Sequence, residues 1–119
     1  LHWPMRRELE EKRSMNPNFA FAKDGIHPDE SGHFLMAKIL LTGLGENVND
    51  AKTIEELLSP FPKGIQVLAL IEQRQEIQKL AWLSATGHLR PGIPTGLSLE
   101  EAHQKVVGLN LQICKLISP

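Results

Sequence analysis

Apolar residues recur at three- and four-residue steps along most of the chain, and clusters of Gly, Pro and Asn interrupt them. That pattern predicts a succession of amphipathic helices. Leu1 to Trp3 read as the exit of a preceding element, and Pro4 suits the first position of a helix, where its missing N–H is not needed. Arg6 to Ser14 are helix formers, with Met5, Leu9 and the stem of Lys12 or Arg13 on one side. Glu8, Glu10 and Glu11 lie at short spacing from Lys12 and Arg13, which makes a solvated face. Asn16-Pro17-Asn18 stops this helix. Phe19-Ala20-Phe21-Ala22 alternates and is the one stretch that reads as a strand. After a Gly/Pro loop, Pro28 to Gly32 opens a broad apolar helix that runs through Leu44. Asp29, Glu30 and Ser31 are placed to cap its positive end, and Gly43 or Gly45 to stop it.

Asn47 to Lys52 is polar and turn-like. Thr53-Ile54-Glu55-Glu56 has the capping-box pattern and predicts a short helix from Ile54 to Leu58. Ser59-Pro60-Phe61-Pro62-Lys63-Gly64 breaks it and divides the chain into residues 1–59 and a helical tail, 60–119. From Ile65 to Thr86, Val67, Leu70, Ile71, Ile77, Leu80, Ala81 and Leu83 define an apolar face, with Glu72, Arg74, Glu76 and Lys79 elsewhere. Gly87 caps that helix, and His88 to Leu97, with two Pro and two Gly, is a connector. Ser98-Leu99-Glu100-Glu101 is a second capping box. Leu99, Ala102, Val106, Leu109, Ile113 and Leu116 then trace a narrow seam suited to one partner helix. Two helices of about 20 residues, each about 30 Å long, are expected to close as an antiparallel hairpin.

Composition narrows the function classes. The chain has 119 residues, 41% of them hydrophobic and 23% charged, the balance of an ordinary globular domain. A net charge of −1 gives no field that would draw it to nucleic acid or an anionic membrane. The run Ile39-Leu40-Leu41 is far too short for a membrane span. A chain that begins at Leu1 is expected to start inside a longer reading frame, and a leader peptide would lie outside it. The compartment is therefore left open, an extracytoplasmic one included. Cys114 has no partner for an internal disulfide and is expected to be a buried small hydrophobe. Trp3 and Trp82 are expected to be packing residues, and His103 to be exposed. His88, just past a helix end, is placed to meet helix carbonyls.

The candidate chemistry lies in Lys23-Asp24-Gly25-Ile26-His27-Pro28. A general base needs an imidazole held in one tautomer, and a carboxylate on its other nitrogen does this and stabilises the imidazolium that forms. A three-residue offset lets Asp24 and His27 turn to the same side, with Gly25 supplying the backbone freedom. On spacing alone, a turn-capping Asp beside an exposed His is the favoured account, because Asp-x-x-His is a common spacing. Asp24, His27, Asp29, Glu30 and His33 also fall within ten residues. Their two His are six apart, against the four that would place both on one helix face, so no metal site is expected. Nothing in the sequence calls for a cofactor.

The wider string Asp24-Gly25-Ile26-His27-Pro28, followed by Gly32 and Met36-Ala37, resembles the last conserved block of the SGNH (GDSL-type) hydrolases. The resemblance extends over roughly residues 18–45. Leu1-His2-Trp3-Pro4 and its helix look like the element before that block. The tail, through Ala81-Trp82-Leu83, Gly87-His88 and Arg90-Pro91-Gly92, is similar to a helical extension of some such hydrolases. The resemblance implies an α/β fold: residues 1–59 as the C-terminal part of a three-layer α/β/α domain, mostly helical within this segment, and a hairpin tail. It implies His27 as general base and Asp24 as its orienting partner, acting through an acyl-serine intermediate on acylated carbohydrates or other small esters. The Gly-Asp-Ser block and the oxyanion-hole blocks of that family are absent here. Ser14, Ser31, Ser59, Ser84, Ser98 and Ser118 read as caps, linkers and surface positions. The isolated chain is therefore expected to be inactive. Its apolar helix faces, with no sheet to cover them, would favour self-association. The alternative is a non-enzymatic helical module whose tail pairs with another chain.

Overall fold

In the computed structural model, which describes residues 1–48 and 50–118, five helices form where the caps and the apolar periods place them. They are α1 (His2–Met15), α2 (Glu30–Gly43), α3 (Ile54–Leu58), α4 (Gly64–Ala85) and α5 (Leu99–Ile117). α1 starts two residues earlier than expected, so Pro4 stands within its first turn, where no backbone N–H has an intrahelical partner. α2 and α4 both end in paired turn bonds around a left-handed glycine. Gly45 N–H reaches Thr42 O at 3.0 Å and Glu46 N–H reaches Leu41 O at 3.0 Å, with φ +95° at Gly45. Gly87 N–H reaches Ser84 O at 3.1 Å and His88 N–H reaches Leu83 O at 3.2 Å, with φ +66° at Gly87. The turn expected over 47–52 includes Asn49, which lies outside the described residues.

The α/β expectation is overturned. No strand occurs among the described residues, and all the regular structure there is helical. Phe19 to Ala22, expected to be a strand, has no neighbouring strand to pair with, so its alternation serves a different purpose. Phe21 is turned inward and buried, Phe19 packs edge-on against its ring at 5.0 Å, and Phe21 O is bound locally by Asp29 N–H. Alternation identifies the inward side of an extended segment, but a ladder needs a second strand.

The chain divides into two compact units, Leu1–Leu57 and Leu58 onward. In the first, α1 meets α2 through the extended segment between them. Arg13 Nε donates to Phe19 O at 2.9 Å, and the Lys12 ammonium lies 5.5 Å from the Phe19 ring centre. Burial here is sparse: Phe21 and Gly32 are the buried residues among those described. Trp3, Leu40 and Leu44 stay exposed, Leu44 at 80%. The expected packing role of Trp3 is therefore not realised.

The second unit is an antiparallel hairpin of α4 and α5. Ser98 caps α5 with a complete capping box, accepting from Glu101 N–H at 3.2 Å while Glu101 Oε2 accepts from Ser98 N–H at 3.2 Å. Four of the six expected seam residues, Ala102, Val106, Leu109 and Ile113, are buried against α4, whose Ala81 is 1% exposed, whereas Leu99 is exposed and Leu116 half-buried. Arg74 departs from expectation. It lies on the packed side and donates to Asn110 Oδ1 at 2.8 Å, joining the two helices. Cys114 and Trp82 depart in the other direction and are exposed. Cys114 follows Ile113 directly, and one residue along a helix turns a side chain about 100° off the seam. The connector returns so closely that a Cβ on Gly96 would fall 2.6 Å from Ala81 N and nearer still to the Leu80 carbonyl. Gly96 N–H meanwhile donates to Ser84 Oγ at 2.7 Å. At the open end of the hairpin, Leu58, Phe61, Val67, Leu68, Ile71 and Ile117 line an apolar groove of about 520 Å³.

Candidate functional site

The loop that carries Asp24 and His27 is closed at its base before either side chain acts. Asp29 N–H donates to Phe21 O at 2.7 Å, and the Asp29 carboxylate caps α2 by accepting from Gly32 N–H at 2.9 Å. Ser31 Oγ donates to the same carboxylate oxygen at 2.6 Å. These bonds, the serine hydroxyl first, hold the Asp29 carboxyl below its ordinary range. Within the loop, Gly25 takes φ +80° and its N–H donates to Ala22 O at 3.1 Å. A residue with a Cβ is strained in that conformation, so glycine is the residue for this turn.

Asp24 is the hub of the loop. Its Oδ1 accepts from Ile26 N–H at 3.0 Å and from His27 N–H at 2.8 Å, and its Oδ2 lies 2.7 Å from His27 Nδ1. The His27 backbone N–H, then the His27 side chain, then Ile26 N–H lower the Asp24 pKa from an ordinary 3.8 to about 2. The carboxylate is therefore ionised near neutrality and can only accept, so the proton of the contact belongs to Nδ1. With Nδ1 engaged and the imidazole 82% exposed, Nε2 is open to an incoming hydroxyl. The two candidate residues thus come together in the geometry that a general base and its orienting carboxylate require.

A pH titration follows from this geometry. The folded pKa of Asp24 is depressed, so the stabilisation of the loop is fully present above about 3.8 and is lost as pH falls through about 2. In amide NMR spectra the Ile26 and His27 N–H resonances are expected to move with a midpoint near 2. A midpoint at the ordinary aspartate value would show that the carboxylate does not hold them.

The serines are occupied elsewhere. Ser14 Oγ donates to Glu11 O, Ser84 Oγ accepts from Gly96 N–H, Ser98 caps α5 and Ser118 Oγ donates to Cys114 O. Ser31, the nearest to His27 in sequence, is tied to Asp29. His33 and His103 are exposed. His88 does not face helix carbonyls: its Nδ1 accepts from Arg90 N–H at 3.1 Å. Among the described residues no group of three or more His, Cys, Asp or Glu is gathered to hold an ion. No helix among them is long and apolar enough to cross a membrane.

Sequence reasoning found Asp24 and His27 but missed Phe21, which it assigned to a strand. The only signal for its role was Gly32, whose lack of a side chain leaves room for the Phe21 backbone. Comparison with models of known protein families, with curated proteins and with solved structures finds no match to this chain.

Proposed function

We propose that Asp24 and His27 are the orienting carboxylate and general base of a serine ester hydrolase of the SGNH type, whose seryl nucleophile and oxyanion hole come from polypeptide outside these 119 residues. The observation that carries the reading is the 2.7 Å contact between His27 Nδ1 and Asp24 Oδ2, made by a carboxylate that two backbone N–H groups already hold ionised. This chemistry belongs to the pair and requires no sheet within the segment. In the acylation step the serine oxygen attacks the ester carbonyl while Nε2 takes its proton, and the imidazolium is stabilised by Asp24. The same proton passes from Nε2 to the departing alkoxide as the carbon–oxygen bond breaks. Water, deprotonated by Nε2, then attacks the acyl-serine carbonyl, and Nε2 returns that proton to the seryl oxygen as the carbon–oxygen bond breaks and the acid leaves. Acylated carbohydrates or other small esters fit this chemistry.

A half-site has a definite consequence for the 119-residue chain. Without the nucleophile and the oxyanion hole, it is expected to hydrolyse p-nitrophenyl acetate no faster than its His27→Ala variant. Turnover by this chain that His27→Ala abolishes would show a nucleophile within it and overturn the reading. The chain extended to include its upstream sequence is expected to be an esterase. If that longer protein is inactive and indifferent to His27→Ala, a non-enzymatic helical module is the better account.

A further inference from the structure

The first unit buries very little, yet what it buries lies under one loop. Phe21 is 7% exposed and Gly32 is buried against it. A Cβ added to Gly32 would meet Pro28 Cβ at 2.9 Å, Phe21 Cβ at 3.2 Å and Phe21 O at 3.2 Å. Phe21 O is also the acceptor for Asp29 N–H, the bond that closes the loop. The two ends of the 22–28 loop are therefore pinned to the first turn of α2 at a point where only hydrogen fits. Inside the loop, Asp24 has no support beyond its own turn: it is 55% exposed and His27 is 82% exposed. A carboxylate and an imidazole this open lose their contact whenever the loop ends separate, because solvent replaces each bond at little cost.

We infer that Gly32 and Phe21 are positioning residues for the Asp24–His27 pair: they hold the loop ends together, and this keeps the carboxylate on Nδ1. Its functional consequence rests on the hydrolase reading, but the geometric claim does not. The enlarged side chain of Gly32→Ala must displace Pro28 or Phe21, neither of which is the free end of a flexible chain. Phe21→Ala removes the buried ring and leaves Phe21 O without its anchor. Both changes act on His27 from a distance, since neither residue bonds to the imidazole.

The test uses the 119-residue chain with ¹⁵N-labelled histidine. In the parent, His27 is expected to show a hydrogen-bonded Nδ1–H resonance and ring-nitrogen shifts distinct from those of His33 and His103, which are exposed in the same molecule. In Gly32→Ala and Phe21→Ala the Nδ1–H resonance is expected to vanish and the His27 shifts to merge with those of the two exposed histidines. Amide signals of α5 stay in place, and Phe21→Leu restores the parent pattern. Should Gly32→Ala also melt α2, Phe21→Ala decides the matter, because it leaves the Asp29 cap of that helix untouched. Either variant keeping the parent His27 signals overturns the inference, as does a parent in which His27 is already indistinguishable from His33. Esterase activity does not enter these spectra. A parent in which His27 matches His33 would count against both readings; parent-like His27 signals in the variants overturn this one alone, and absence of turnover by the extended chain overturns the hydrolase proposal alone.

Discussion

His27→Ala, in a protein that joins this chain to the proposed seryl nucleophile, is expected to lower kcat by about 10⁴- to 10⁶-fold, the range that follows loss of a triad member. Nε2 is the ring nitrogen of His27 left for substrate, because Nδ1 is held by Asp24 at 2.7 Å. Alanine therefore removes the sole proton acceptor and leaves the loop otherwise intact: Asp24 Oδ1 still accepts from the backbone N–H groups of residues 26 and 27. KM is expected to change little, since the proton transfer is made only in the transition state. Asp24→Asn is the sharper companion. An amide keeps one oxygen for the two backbone donors, but its NH₂ then stands where Oδ2 accepted from Nδ1. The imidazole must offer Nδ1 as acceptor and carry its proton on Nε2, the wrong tautomer for a base, for a loss of about 10⁴-fold. Wild-type kcat in either variant, measured on a p-nitrophenyl ester and on an acetylated sugar, would remove Asp24 and His27 from the mechanism.

Gly96→Ala is expected to be the most damaging single substitution for the hairpin. The methyl group would sit 2.6 Å from Ala81 N and closer to the Leu80 carbonyl, so backbone must move against backbone near the C-terminal end of α4. Alanine also lowers the entropy of the unfolded chain, which favours the folded state by about 0.4–1 kcal/mol. Overpacking a well-filled contact costs about 1–3 kcal/mol, and a rigid backbone neighbour places this case at the upper end. The clash wins. A net loss of about 2–2.6 kcal/mol lowers the melting temperature of a unit this size by about 8–21 °C. Separation of the connector also removes the Gly96 N–H bond to Ser84 Oγ, so both effects act together. Calorimetry or circular dichroism would measure this, and a shift of only a degree or two would mean that the connector does not cross α4 at this point.

Local chemistry made most helix limits legible. The end of α4 was marked by Gly87, that of α2 by Gly43 or Gly45, of which the structure uses Gly45, and the start of α5 by Ser98 and Glu101, because each cap is satisfied by atoms within a few residues. The α5 seam was legible for a related reason: one helix packing on one partner leaves a narrow, regular apolar stripe. The same local logic located the candidate pair, since Asp24 and His27 meet within a single turn of loop.

What the sequence could not decide were the matters settled by residues far apart. Arg74 looked like a surface cation until Asn110, 36 positions later, came to face it. Gly96 looked like one more connector glycine until the chain returned across Leu80 and Ala81. Phe19 to Ala22 alternated like a strand, yet pairing is a property of two segments, and among the described residues there is no second one. So the sequence alone determined most of the helix limits and which two side chains form the candidate pair. Tertiary structure decided that all regular structure among the described residues is helical, that Arg74 lies on the packed side of the hairpin, and that Phe21 against Gly32 closes the loop beneath His27. Caps and turns are satisfied by near neighbours, whereas burial and pairing depend on which distant segment arrives.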